Sequence, residues 1–598
     1  MADILSIRGL LADRADPNPG TRAIMETGDR DAMSYAMLID QIDRTTGALN
    51  DLGIGRNDCV AIVLPNGPEM ATAFVSVASS CTSAPLNPAY RAPEYDFYLS
   101  DLNAKALIVE RASDSPAVAV AESLNIPVIE LVADPARPAG WFELNGQPLD
   151  RPIKPGHADD DDIALVLHTS GTTSRPKIVP LTQTNLCILA QTIRESLQLE
   201  PGDRCLNVMP LFHVHGLMAA LLSSLISGAS VTCTPGFDAT RFFDWMNDSK
   251  PTWYTAVPTM HQALIARAPK HAELIATNPL RFVRSCSASL PPQVLTQLQQ
   301  TFNAPVIEAY GMTESAHQIS SNPLPPGKCK PGSVGIATGP RVAVINSGGQ
   351  LLAPNTTGEI VLQGRNVTSG YAANPEANAA AFTNGWFRTG DQGYIDDDGY
   401  IFLTGRIKEI INRGGEKFSP REIDEVLMDH PAVVQAVAFA MPDEKLGEEV
   451  AAAVVLNNDS EGTTERDIQD FATNRLSDFK VPRRVLIVDQ IPKGPTGKLQ
   501  RIGLAEKLGV SSVNQHESDS AEYADPETET EKTLAGIWQQ VLRVDRVGRN
   551  DDFFDLGGDS MLASQVIVRI EEQMDRKLRM LAFFDSPTLY VMASNIDK

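Results

Sequence analysis

The chain has 598 residues, 43% hydrophobic and 21% charged, enough to fold several domains around proper cores. Its formal net charge of -24 argues against nucleic acid and anionic membranes as main partners, because both would repel it, and otherwise reads as a solubility feature. The seven cysteines (Cys59, Cys81, Cys187, Cys205, Cys233, Cys286 and Cys329) are widely spaced with no CxxC pair, so they imply no zinc site or disulfide framework and fit a reducing, cytoplasmic compartment.

Residues 1–14 carry Asp3 and Asp13 and no apolar run behind basic residues, so no secretory signal is expected there. Short β-branched runs then alternate with helical patterns up to about Leu403, as at 59–64, 106–109 and 163–168. That alternation predicts an α/β architecture with largely parallel sheets. The uncharged stretch 217–233 is interrupted by Ser223, Ser224, Ser227, Gly228 and Ser230, which predicts a buried helix and a strand rather than a membrane span. Residues 394–395 and 400–403 flank an Asp-Asp-Asp-Gly turn and read as a β-hairpin.

A second unit begins near Gly405, with a helix from Pro420 to about Met428 and strands over 433–439 and 450–456. Residues 511–530 are rich in Ser, Glu, Asp and Thr, a composition that buries too little surface to fold and reads as a tether. Helical periodicity returns at 531–598, with Leu534, Ile537, Trp538 and Val541 on one face and Leu562, Val566 and Ile570 on another, predicting a small helical bundle. The final residues 595–598 match no recognised targeting tripeptide, and nothing beyond the bundle reads as a further catalytic unit.

The loop LHTSGTTSRPK at 167–177 follows a buried strand and crowds hydroxyls, a glycine and a cation into one turn. Successive N–H groups there can form an anion-binding nest, although a Ser/Thr-rich loop alone reads equally well as plain surface. No GxxxxGK[ST] occurs. The full string resembles the signature loop of the adenylate-forming superfamily, which grips the ATP triphosphate. The resemblance assigns Thr169, Ser170, Gly171, Thr172, Thr173 and Lys177 to phosphate, and departs from the common pattern at Ser174 and Ile178.

Further motifs follow in family order. EAYGMTE at 308–314 resembles the adenine and magnesium segment. It implies nucleotide contacts at Glu308, Ala309, Tyr310, Gly311, Met312 and Thr313, joined by Ser287 and Ala288, and Mg²⁺ at Glu314, a hard oxygen ligand. GWFRTGD at 385–391 resembles the ribose segment, with Asp391 accepting from the hydroxyls, and GRIK at 405–408 resembles the hinge, with Arg406 near ribose and Lys408 at the pivot. KGPTGK at 493–498 resembles the last motif, which makes Lys498 the catalytic lysine beside Thr313, Glu314 and His213. NRGGEK at 412–417 resembles the pantetheine tunnel, implying Arg413, Gly414 and Gly415 along it. DFFDLGGDS at 552–560 resembles the phosphopantetheine attachment motif of carrier proteins, implying attachment at Ser560; by itself that serine is an ordinary helix cap.

The acid is read from PLFHVHG at 210–216, which lacks the aspartate that amino-acid-activating domains place beside a substrate ammonium. Together with RSCSASL (284–290), EAYGMTESAHQ and EIINRGGEKFSP, it resembles oxalate–CoA ligases, implying a small diacid among His213, His215, Ser289, Gly311 and His317. His215 and His317 could equally be packing residues.

The resemblance thus implies an α/β multidomain chain: a large adenylation domain at 1–404, a small mobile subdomain at 405–510, a flexible acidic linker at 511–530, and an all-α four-helix carrier domain at 531–598. It implies ATP, Mg²⁺ and 4'-phosphopantetheine as cofactors. The implied partners are a phosphopantetheinyl transferase and a downstream acyl acceptor in trans, as for a loading unit of nonribosomal peptide-type biosynthesis. The alternatives are an acyl-CoA synthetase using free CoA and an amino-acid-activating module.

Overall fold

The computed structural model describes residues 5–149, 152, 154–169, 176–443, 446–457, 460, 462–493, 498–510, 523–542, 544–553, 556, 558, 560–574, 576, 578 and 588–597. The chain forms two compact units, Met1–Ser512 and Val513–Lys598.

The first unit is built on two large sheets whose middles are parallel. In one, six parallel strands run in the order Val306–Met312, Phe282–Cys286, Trp253–Ala256, Arg204–Asn207, Ser230–Cys233 and Arg22–Glu26. Antiparallel strands His317–Ser321 and Met33–Ser34 lie outside them. All four residues of Trp253–Ala256 are buried, as helices on both faces of a parallel sheet require. In the other, five parallel strands centre on Cys59–Val63 and Ala106–Glu110, and Ile163–Thr169 turns back antiparallel into Lys177–Thr182. The expected α/β architecture is present.

The stretch expected as a buried helix and strand is a π-helix, His215–Leu222, then an α-helical turn, Ser223–Ile226, then Ser230–Cys233. The expected hairpin is Trp386–Ile395 paired with Ile401–Arg406, within a third, antiparallel sheet.

A mixed sheet closes this unit, with Gly447–Leu456 at its centre and Val433–Asp443 along one edge. Its two faces follow from period-two alternation. Ala436 and Ala438 join Ile423, Leu427 and Ile468 in one cluster, while Val437, Phe439 and Met441 join Ile491 and Leu504 in another. The helix Pro420–Met428 is capped by Ser419 and starts on proline, whose missing N–H costs nothing at that position.

In the second unit three helices are described, Glu529–Leu542, Ser560–Met574 and Leu589–Ile596. Leu534, Ile537, Trp538, Val566, Ile570 and Met592 form one core. A fourth helix would fall outside the described residues. The first helix begins within the segment expected as tether. Glu531 is buried, accepts from the Glu527 N–H at 2.7 Å and pairs with Arg549 at 3.2 Å. Polarity alone hid that ordering, because a charge with a partner can be buried. Residues 511–522 of the expected linker lie outside the described residues.

Candidate active site

The first parallel sheet delivers its C-terminal ends to one place, the usual position of a site in an open α/β sheet. Phe282–Cys286 leads into Ser287, held at φ +76°, and Val306–Met312 leads into Glu314. Gly311 lies against the backbone of His317, so closely that a Cβ would overlap its carbonyl. This close approach lets the chain reverse into His317–Ser321 and brings Glu314 and His317 to the same end of the sheet. His213 and His215 enter from the π-helix start, a distortion common at functional sites.

His215 and His317 are stacked, with ring centroids 5.1 Å apart, and both are buried. His215 Nδ1 lies 3.1 Å from Ser287 Oγ, and its Nε2 lies 2.6 Å from Thr255 Oγ1. Burial first, then neighbouring positive charge, pushes both imidazoles well below their ordinary value. His213 is pushed down to about 3 by burial and by Lys498. Lys498 therefore sits within electrostatic reach of all three rings, and of Asp391 and Arg406. Burial lowers its ammonium too.

The residues expected at the nucleotide form a chain of contacts. Tyr310 Oη donates to Asp391 at 2.5 Å, and Arg406 Nε donates to the other Asp391 oxygen at 2.9 Å. Glu308 is buried, accepts from the Leu290 N–H at 3.2 Å, and is pushed up to about 7 by burial. Ala309 is buried, Met312 and Thr313 are half-buried, and Ala288 and Ser289 are exposed.

Lys177 closes the phosphate loop, since Thr169 pairs with it across the two antiparallel strands. Ser170, Gly171, Thr172 and Thr173 lie outside the described residues. The Lys177 ammonium stands 4.5 Å over the Tyr371 ring, and Tyr371 Oη donates to Glu314 at 2.9 Å. Burial raises the Glu314 carboxyl above its ordinary value. A lone buried carboxylate favours its proton until a cation arrives. Glu314 thus suits Mg²⁺, which takes one or two carboxylates plus phosphate oxygens rather than a protein cage. Among the described residues no group of three metal-ligating side chains occurs.

On the small subdomain, Lys408 lies in the turn Ile407–Glu409. Arg413 pairs with buried Glu449 at 2.5 Å, and Gly414 and Gly415 follow at positive φ. Arg501 Nε donates to Glu409 at 3.1 Å and its NH2 to Asp424 at 2.5 Å, tying the segment after Lys498 to the turn holding Lys408. In the second unit, Ser560 opens its helix. Buried Phe553 packs on Trp538, and its carbonyl accepts from the Gly558 N–H at 2.9 Å, fixing the approach to the serine.

Two contributors were not anticipated: Tyr371, a lone aromatic whose motif carries no signal of its own, and Arg284. Arg284 is fully buried. It donates to Gln318 Oε1 at 2.9 Å and to Thr255 Oγ1 at 3.3 Å, and lies 3.5 Å from His215 Nε2 and 3.4 Å from His317 Nε2. An arginine inside an apolar strand was the available signal.

Three family models match the chain: AMP-binding enzyme over residues 11–372, AMP-binding enzyme C-terminal domain over 422–498, and phosphopantetheine attachment site over 532–596. The chain belongs to the AMP-binding, adenylate-forming enzymes, which use ATP with Mg²⁺. More particularly, it is an acyl-CoA ligase-family enzyme, a ligase forming carbon–sulfur bonds, with a phosphopantetheine carrier region. It is 47% identical to an oxalate–CoA ligase of Arabidopsis thaliana over 83% of this chain and 97% of that one. It is 42% identical to an oxalate–CoA ligase of Saccharomyces cerevisiae over 77% and 88%. ATP-bound MatB from Rhodopseudomonas palustris superposes with a TM-score of 0.76 at 29% identity, covering 84% of this chain and 99% of that one. Among the described residues no helix is long and apolar enough to cross a membrane.

Proposed function

We propose that the chain adenylates a small carboxylic acid, an oxalate-like diacid foremost, and loads it onto its own carrier region at Ser560. The observation that carries the acid class is the buried, stacked His215–His317 pair beside Ser287, with Lys498 in electrostatic reach. Neutral imidazoles and hydroxyls donate to a carboxylate without presenting a counter-charge to an ammonium, which disfavours an amino acid. The oxalate–CoA ligases of Arabidopsis and Saccharomyces point to the same acid.

In the first step a carboxylate oxygen attacks the α-phosphorus, the α–β anhydride bond breaks and pyrophosphate leaves. Lys498 holds the carboxylate against that phosphorus and offsets the charge developing on its oxygens. Asp391 and Arg406 orient the ribose, Tyr310 flanks the adenine, and Lys177 with Thr313 holds phosphate oxygens. Glu314 would hold Mg²⁺, which neutralises phosphate charge when bound. Ser560 would hold the phosphopantetheine, which would supply a thiol nucleophile for the activated acyl group, with AMP as the leaving group. Lys408 serves as the pivot between the two steps, and Arg413, Gly414 and Gly415 border the path of the arm. The divisions at 404, 510 and 530 stand as proposed domain limits.

The CoA-ligase names of the relatives favour a second reading, in which free CoA accepts the acyl group. Pyrophosphate exchange with oxalate, malonate, glycine, short fatty acids and aryl acids tests the acid; oxalate should lead, and a lead by glycine or a fatty acid would refute it. Comparing holo carrier with free CoA tests the acceptor. Ser560→Ala should keep exchange and lose covalent loading of radiolabelled acid; covalent label persisting in that variant places the arm elsewhere.

A further inference from the structure

Arg284 sits in the strand Phe282–Cys286, fully buried, with no carboxylate at ion-pair distance among the described residues. Its Nε has no oxygen or nitrogen partner, and the acidic groups that act on it are the thiols of Cys286 and Cys205. Burying a cation without an anion is costly, and a guanidinium placed only to staple strands would be paired. Its partners are instead the floor of the candidate acid pocket. One terminal nitrogen faces Thr255 Oγ1 and His215 Nε2, the other Gln318 Oε1 and His317 Nε2. Gln318 is oriented by donating its amide hydrogens to Ser196 and Thr338 at 3.0 Å each, so its oxygen is committed to Arg284.

A guanidinium only donates. Both Nε2 atoms facing it must therefore accept, and so must the Thr255 hydroxyl, whose own proton then goes to His215 Nε2 at 2.6 Å. The ring proton of each histidine is left on Nδ1. In His215 that atom points to Ser287 Oγ, and in His317 it makes no hydrogen bond among the described residues.

We propose that Arg284 is a positioning residue for acid selection: it holds His215 and His317 as neutral Nδ1–H donors and supplies the uncompensated positive charge that a second carboxylate satisfies. This rests on the small-diacid reading above and names the residue behind it. A monocarboxylic acid of similar size would leave the guanidinium without its anion, so discrimination comes from a buried charge rather than from pocket volume alone.

The test uses the full chain and pyrophosphate exchange with oxalate and acetate. Arg284→Met should lower the oxalate-to-acetate ratio of kcat/KM by about 100-fold, chiefly through KM for oxalate, and Arg284→Lys should recover about tenfold of it. Loss of both acids in equal measure, or a ratio unchanged from wild type, overturns the assignment. Wild-type chain that shows no preference for oxalate over acetate removes the diacid reading itself, whereas preference kept by Arg284→Met removes only the role of Arg284. Should Arg284→Met not fold, ¹⁵N-histidine spectra of the wild type decide. Protonated Nδ1 at both His215 and His317 is expected, and protonated Nε2 at either overturns the proposal.

Discussion

Lys498 and Tyr371 carry the sharpest consequences for single side chains. Lys498 reaches the histidines from the small subdomain, so Lys498→Ala should cut pyrophosphate exchange by about 100- to 1000-fold while sparing acyl transfer from a supplied acyl-adenylate. Equal loss in both assays would remove its assignment to the first step. Tyr371 gives Glu314 a hydroxyl and Lys177 a ring face. Tyr371→Phe leaves a buried carboxylate without that donor, which costs about 1–3 kcal/mol. The expected result is a Mg²⁺ requirement raised about tenfold, read as the half-saturating Mg²⁺ for exchange; an unchanged titration would detach Tyr371 from the metal residue. The sequence singled out Lys498, Glu314 and Asp391 because the motif strings around them carry assigned roles. Tyr371 and Thr255 lie outside any such string, and Arg284 opens RSCSASL without a role attached to it. What they do depends on strands far apart in the chain, and Arg284 meets His215 across 69 positions.

Between single residues and the whole chain, elements decide how a motif is presented. The β-branched runs at 59–64, 106–109 and 163–168 announced strands because parallel sheets bury both faces. The π-helix at His215–Leu222 had no such signature, since its residues read as an ordinary apolar helix and only the register of its hydrogen bonds differs. In the carrier region, a Cβ at Gly558 would overlap the Phe553 ring. Gly558→Ala should therefore move the turn before Ser560 and slow modification by a phosphopantetheinyl transferase at least tenfold, as followed by intact mass. Helix content should persist, because Leu534, Ile537, Val566, Ile570 and Met592 still hold the three helices together when Phe553 shifts. Modification at the wild-type rate would show that the turn tolerates the shift.

Across the whole first unit, buried titratable groups set the response to pH. His213 and His261 are pushed down to about 3 by burial, and His215 and His317 lie well below the ordinary 6.5. Their contribution is full above 6.5 and is lost as pH falls, because the unfolded chain takes protons that the folded rings refuse. Glu308, pushed up to about 7, works the other way: its contribution is full below 4.5 and is lost as pH rises through 7. Glu314 and Asp424, also raised by burial, act with Glu308, and His168, lowered by burial, joins the other histidines, so five rings oppose three carboxyls. The first thermal transition should drop by about 5 °C or more between pH 7 and pH 5, measured by calorimetry. A transition unmoved or raised over that window would mean that these rings are not held neutral.

Arg501 braces Glu409, in the turn that holds Lys408, against Asp424 on the adjoining helix, three residues beyond Lys498. On the pivot proposed at Lys408, this brace would make the subdomain a crank. Rotation at the shaft would carry the lysine with it, so the tool of the first reaction would be withdrawn by the stroke that opens the way for the second. Slack at Arg501 would let shaft and tool fall out of time, and the enzyme would spend ATP on adenylates that water, rather than a thiol, collects.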